Sequence, residues 1–139
     1  MSSASPSRSP RFIKTRIEQG VLIVALTEAR LQGDSLANTL RHELITAVEE
    51  SKLDPPLVVV DMKVVVSLTS SAFRPILHLH RAVQEKKGQA VLCNLSPVVA
   101  QALRTTRLID TGQFSMGAFQ VESDLPSALT RLLTKEPEA

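Results

Sequence analysis

One short run constrains this chain more than any other. Leu57-Val58-Val59-Val60-Asp61 is apolar and mostly β-branched until it ends in an acid. A run with no polar alternation suits a strand covered on both faces, and such strands sit in sheets whose crossover connections place helices on both sides. Asp54-Pro55-Pro56 precedes it and favours extended backbone at its entry.

The flanking sequence supplies the rest of such a layer structure. Residues 12–17 alternate loosely, Glu18-Gln19-Gly20 marks a turn, and Val21–Leu26 is continuously apolar, a pattern that predicts a hairpin. After Gly33, Asp34 or Ser35 can cap a helix carrying Leu36, Leu40, Leu44 and Ala47 on one face. A second helix is expected over 72–86, with Phe73, Ile76, Leu77, His80 and Val83 or Gln84 inward and Lys86-Lys87-Gly88 at its end. Residues 89–95 form the next strand. Ser96 with Pro97 then starts a third helix, reaching about Arg107 with Val99, Ala102 and Leu103 inward. Residues 119–121 read as a short strand, and Ser123-Asp124-Leu125-Pro126 opens a last helix carrying Ala128, Leu129 and Leu132. Strands alternating with helices define an α/β fold with a mixed sheet of about four to five strands. The Ser/Pro-rich segment 1–10 and the polar segment 135–139 read as tails around one domain over 11–134.

Composition narrows the function. The 139 residues carry a net charge of only +2, with scattered Lys and Arg, four Phe and no Trp or Tyr, which disfavours nucleic-acid binding. No apolar run is long enough to span a membrane and the N-terminus lacks a secretory h-region, so a cytoplasmic location is expected. The single cysteine, Cys93, lies in an apolar strand and reads as a small buried hydrophobe. His78 and His80 point about 200° apart on a helix and cannot share a metal. No Gly-rich phosphate loop and no nucleophile–base–acid spacing is present. No enzyme activity, cofactor or metal is expected.

Thr69-Ser70-Ser71 stands apart from this inventory, because it falls at the mouth of the second helix. One hydroxyl there is an ordinary N-cap worth about 1 kcal/mol. Three exceed that need, and a helix N-terminus also suits a phosphate, through its dipole and free N–H groups. Spacing alone leaves both readings open.

Residues 57–108 resemble the STAS domain of bacterial anti-sigma-factor antagonists. That pattern has a buried strand ending in an acid, a serine pair opening a helix, a Lys/Gly turn, and a strand ending in an Asn-Leu-Ser-Pro-like step. Asp61, Ser70-Ser71, Lys87-Gly88 and Cys93-Asn94-Leu95-Ser96-Pro97 match it, with Ser71 ten positions after Asp61. The resemblance extends more weakly over 12–134. It implies a STAS-like single domain that binds an anti-sigma factor of the GHKL serine-kinase type, is phosphorylated on the second serine of the pair, and is restored by a serine phosphatase. Ser71 is then the phosphoacceptor, with Ser70 and Thr69 as alternatives, and Thr69, Ser70, Ser71, Phe73 and Arg74 form the partner-binding segment.

The chain departs from the family pattern around the serines. Thr69 replaces the usual Asp, Ala72 the usual Gly, and Pro75 follows within a turn. Two rival readings accompany the switch: a scaffold in a signalling complex that is never phosphorylated, and a module binding a small ligand at the second helix. Arg74, Arg104 and Arg107 read as solvated surface cations. The sharper alternative pairs Arg74 or Arg107 with phosphorylated Ser71 or an acidic partner.

Overall fold

The computed structural model describes residues 11–105 and 120–134. Strands β1 (Ile13–Glu18) and β2 (Val21–Leu26) pair antiparallel through a two-residue turn. Gln19 and Gly20 both take positive φ, 54° and 80°, so the turn twists with its strands. Next come β3 (Arg30–Leu31), α1 (Asp34–Ser51), β4 (Leu57–Asp61), β5 (Ser67–Leu68) and α2 (Ser70–Glu85). β6 (Gln89–Cys93), α3 (Pro97–Thr105), β7 (Gln120–Glu122) and α4 (Leu125–Thr134) complete the order. The main sheet runs β1-β2-β4-β6-β7, parallel beyond the first pair, while β3 and β5 form a separate two-stranded parallel sheet. The expected mixed α/β architecture is present. The two short strands were not expected, since two residues carry no readable alternation.

Both faces of the sheet are covered, as the central apolar run requires. Leu22, Val24, Val58, Val60 and Leu92 point into a core completed by α1, α2 and α3. Their neighbours Ile23, Val59, Val91 and Cys93 point into a second core under Ala128 and Leu132 of α4. The two sets alternate along each strand, as a pleat demands. Burial pushes the Cys93 thiol up to about 12, helped by the charges of Asp61 and Asp124, which fits its reading as a small buried hydrophobe.

Helix phases differ from the sequence reading in detail. The face of α2 that is fully buried is Ala72, Ile76, Leu79 and Val83, while Phe73 and Leu77 are half-buried and flank it. His80 is half-buried, and burial, then the neighbouring Arg81 charge, lowers its pKa. Leu79 takes the central position because it continues the stripe of Ala72, Ile76 and Val83 at spacings of three and four. In α1 the buried set is Ala37, Leu40, Leu44 and Val48, with Leu36 and Ala47 at its margin. The α2 C-terminus closes with Lys87 in the left-handed region at φ 63° and Gly88 N–H bonding the Val83 carbonyl. Gly88 is required for another reason: a Cβ there would stand 1.9 Å from the Pro56 carbonyl oxygen. The expected caps of the later helices form, Ser96 Oγ accepting from Val99 N–H and Asp124 Oδ1 from Ser127 N–H. Arg107 and Phe119 lie outside the described residues, as do the expected tails 1–10 and 135–139.

Candidate functional site

The short β3–β5 sheet sets the site. Leu31 pairs with Leu68 in parallel register, and Thr69 N–H donates to the Leu31 carbonyl at 2.9 Å. Asp34 stands three residues after Leu31 and Ser71 three residues after Leu68, so α1 and α2 open side by side in matched register. The Ser71 hydroxyl donates to Asp34 Oδ1 at 3.0 Å. Two positive helix ends meet here with one carboxylate between them, a placement that favours the negative charge.

Each hydroxyl of the cluster has its own fate. Thr69 occupies the N-cap position with extended backbone, φ −101° and ψ 173°, but its side chain makes no capping bond. Its Oγ1 lies 3.5 Å from the Leu31 carbonyl oxygen, at the outer limit for such a bond. The expected hydroxyl cap is therefore absent at Thr69, because the β3 pairing positions the segment instead. Ser70 opens the helix, and its side chain lies outside the described residues. Ser71 is half-buried and committed to Asp34. Likewise α1 begins without a side-chain cap: Gly33 holds the N-cap position at φ 91°, and Asp34 turns to Ser71.

The departures from the serine motif find physical accommodation. Ala72 sits inside the helix with its side chain in the core and no positive φ, so glycine is not needed there. Pro75 is the sixth residue of α2 and withholds the N–H that the Ser71 carbonyl would ordinarily receive. An acid that local sequence no longer places beside the serines arrives from α1 as Asp34. Phe73 packs half-buried against the first core, and Arg74 is exposed.

Beyond the Asp34–Ser71 bond, α1 and α2 part to leave a cleft of about 260 Å³, bordered by Asp34, Asn38 and Arg41 on one side and Arg74, Pro75 and His78 on the other. Sequence reasoning gave Asp34 only a helix-starting role and missed Asn38, Arg41 and His78 as site residues. No local pattern marks residues whose partners lie on another helix. Arg104 falls in the last turn of α3, about 10 Å along the axis from that helix's start, and does not border the cleft. Asp61 is structural: its Oδ1 accepts from Asn94 Nδ2 at 2.9 Å and Lys63 N–H at 3.0 Å, tying the ends of β4 and β6. Among the described residues no group of three or more His, Cys, Asp or Glu could hold a metal, and no helix is long and apolar enough to cross a membrane.

Comparison with known proteins meets this geometry. The STAS domain family matches residues 13–118. The chain belongs to the STAS domain family. No curated protein sequence matches it. Among solved structures, the STAS fold here is similar to an anti-sigma-factor antagonist (STAS) domain protein from Planctomyces limnophilus, at 17% identity and TM-score 0.72, covering 88% of this chain and 98% of that one. An anti-sigma factor antagonist from Mycobacterium paratuberculosis follows at 19% identity and TM-score 0.69, covering 87% and 92%. The anti-sigma factor antagonist SpoIIAA in its unphosphorylated form matches at 15% identity and TM-score 0.63, covering 88% and 99%. At these identities the likeness is one of fold.

Proposed function

We infer that this STAS protein is a cytoplasmic regulator of the anti-sigma-factor antagonist kind, one that binds an anti-sigma factor of the GHKL kinase type and is switched by phosphorylation of Ser71. The observation that carries the reading is the Ser71 hydroxyl, held against Asp34 at the joined starts of α1 and α2. On this reading residues 11–134 are the STAS domain, flanked by the tails 1–10 and 135–139.

The chemistry of the switch is simple. Ser71 Oγ forms a bond to the γ-phosphorus of a nucleoside triphosphate held by the kinase. The bond to the bridging oxygen breaks, the diphosphate leaves, and the hydroxyl proton passes toward Asp34 Oδ1. The product adds about −1.5 to −2 charge and three strong acceptors where a neutral hydroxyl stood. A partner seated on the α2 start then meets bulk and an anion. A serine phosphatase restores the hydroxyl by hydrolysis.

Exposed apolar residues extend the surface such a partner would cover. Val66, just before β5, is 51% exposed, and Val98, second in α3, is 64% exposed. Both follow the C-terminal ends of parallel strands, the same end of the sheet at which α2 begins. With Thr69, Ser70, Ser71, Phe73 and Arg74 they outline a mixed polar and apolar binding face.

The test is capture from the native cytoplasm with wild type, Ser71→Ala and Ser71→Asp, followed by phosphosite mass spectrometry. A kinase recovered with wild type and Ser71→Ala, lost with Ser71→Asp, and phosphate on Ser71 support the switch. Partners indifferent to both substitutions, with no phosphate on Thr69, Ser70 or Ser71, replace it with the scaffold reading.

A further inference from the structure

The walls of the cleft between α1 and α2 are stripes of regular spacing. On α1, Asp34, Asn38 and Arg41 recur at intervals of four and three; on α2, Arg74 and His78 stand four apart, with Ser71 one turn before Arg74 and outside the cleft lining. Each stripe runs along one helix face. Arg41 and Arg74 are both exposed, border the same volume, and form no ion pair among the described residues. Asp34, the one carboxylate at the cleft, is engaged by Ser71.

Phosphate on Ser71 reverses the preferences of this arrangement. The ester oxygen has no proton to donate, so its hydrogen bond to Asp34 Oδ1 is lost. The new dianion would stand beside the Asp34 carboxylate, and like charges at that range repel. Arg74, three residues on, shares its helix face with Ser71, and Arg41, about 10 Å along α1 from Asp34, borders the same cleft. Guanidinium forks match phosphate oxygens two at a time, which an ammonium cannot do.

We propose that the cleft between α1 and α2 is the receptor for the phosphate of phospho-Ser71, with Arg74 and Arg41 as its ligands and Asp34 as the group that expels the modified side chain from its original place. This rests on the phosphorylation reading above and adds where the phosphate goes. The anion turns along the α1–α2 seam and bridges the two helices. The partner then loses the Ser71–Asp34 edge and meets the bulk of an anion fixed along the α1–α2 seam.

The test installs phosphoserine at position 71 of the full chain by codon reassignment and follows the phosphorus NMR signal with pH. A His78→Gln background removes the imidazole from the cleft, so the signal reports the phosphate alone. The expected result is a second phosphate ionisation that rises by about half a unit or more in the Arg41→Gln, Arg74→Gln double variant. It falls in Asp34→Asn and takes an intermediate value in Arg74→Lys. Identical ionisation in the parent and the double variant overturns the proposal. A second measurement needs no arginine variant: the Nε–H resonances of Arg41 and Arg74 shift on phosphorylation, and unchanged resonances overturn the receptor equally. Because the phosphate is installed without a kinase, this result is independent of the capture experiment. Failure here removes the receptor and leaves the switch standing, whereas an unphosphorylated Ser71 in the cell removes the switch.

Discussion

The Ser71 hydroxyl reaches across 37 positions of sequence to donate a 3.0 Å hydrogen bond to Asp34, joining the first turn of α2 to the first turn of α1. The bond follows from the Leu31–Leu68 pairing, because each partner stands three residues beyond its member of that pair. A two-residue sheet thus fixes the geometry of the candidate switch.

Asp34→Ala removes the acceptor and the only acid in the first turn of α1. One partly exposed hydrogen bond and one favourable helix-end charge together predict a loss of about 1 kcal/mol in urea unfolding. Ser71→Ala predicts a smaller loss, since the carboxylate keeps its place at the helix ends.

Gly88→Ala tests the close approach of Pro56. A methyl group 1.9 Å from a backbone oxygen must displace the β4 entry or the start of β6. We expect a loss of roughly 3 kcal/mol or more, in the range reserved for disrupted packing. Gly33→Ala meets no atom but must hold φ 91°, and predicts about 1–2 kcal/mol. Paired chemical denaturation curves order the two.

The phase of α2 is tested by alanine at neighbouring leucines. Leu79 is fully buried and Leu77 only partly. Leu79→Ala should cost about 2–5 kcal/mol, and Leu77→Ala less than half of its neighbour's loss. The sequence reading, with Leu77 inward, orders them the other way.

Much of the architecture was legible before any coordinates. The unbroken run Leu57–Asp61, the alternation of strands with helices, and Ser96-Pro97 as a helix start each report a local preference that the tertiary structure upholds. The misses lie in what packing between elements decides. Leu79 rather than Leu77 lies on the buried stripe with Ala72, Ile76 and Val83, and the start of α2 is held by β3 pairing with β5 rather than by a hydroxyl cap. The site was half legible: Ser71 and Arg74 sit on one readable helix, whereas Asp34 and Arg41 depend on which helix lies alongside. Periodicity within one helix is silent on that.

Two groups give stability a pH signature. His80 has its pKa lowered by burial and by Arg81, so the unfolded chain takes up a proton first as pH falls below the ordinary histidine value of 6.5. Stability from this site is present above that pH and erodes below it. Cys93 works from the other side: its folded thiol is pushed up to about 12 from an ordinary value of 9.0. Its contribution is full below 9.0 and is lost as pH rises toward 12, because the unfolded thiol ionises first. Thermal melts across pH should show both shoulders, with His80→Gln flattening the acid one and Cys93→Ala the alkaline one.

The central claim is that phosphate on Ser71 releases the partner, and its most direct measurement is the affinity of the captured kinase for the chain with and without phosphoserine installed at position 71. Binding at least tenfold weaker for the phosphorylated chain, about 1.4 kcal/mol, is the predicted result. Equal affinity for the two forms would contradict it.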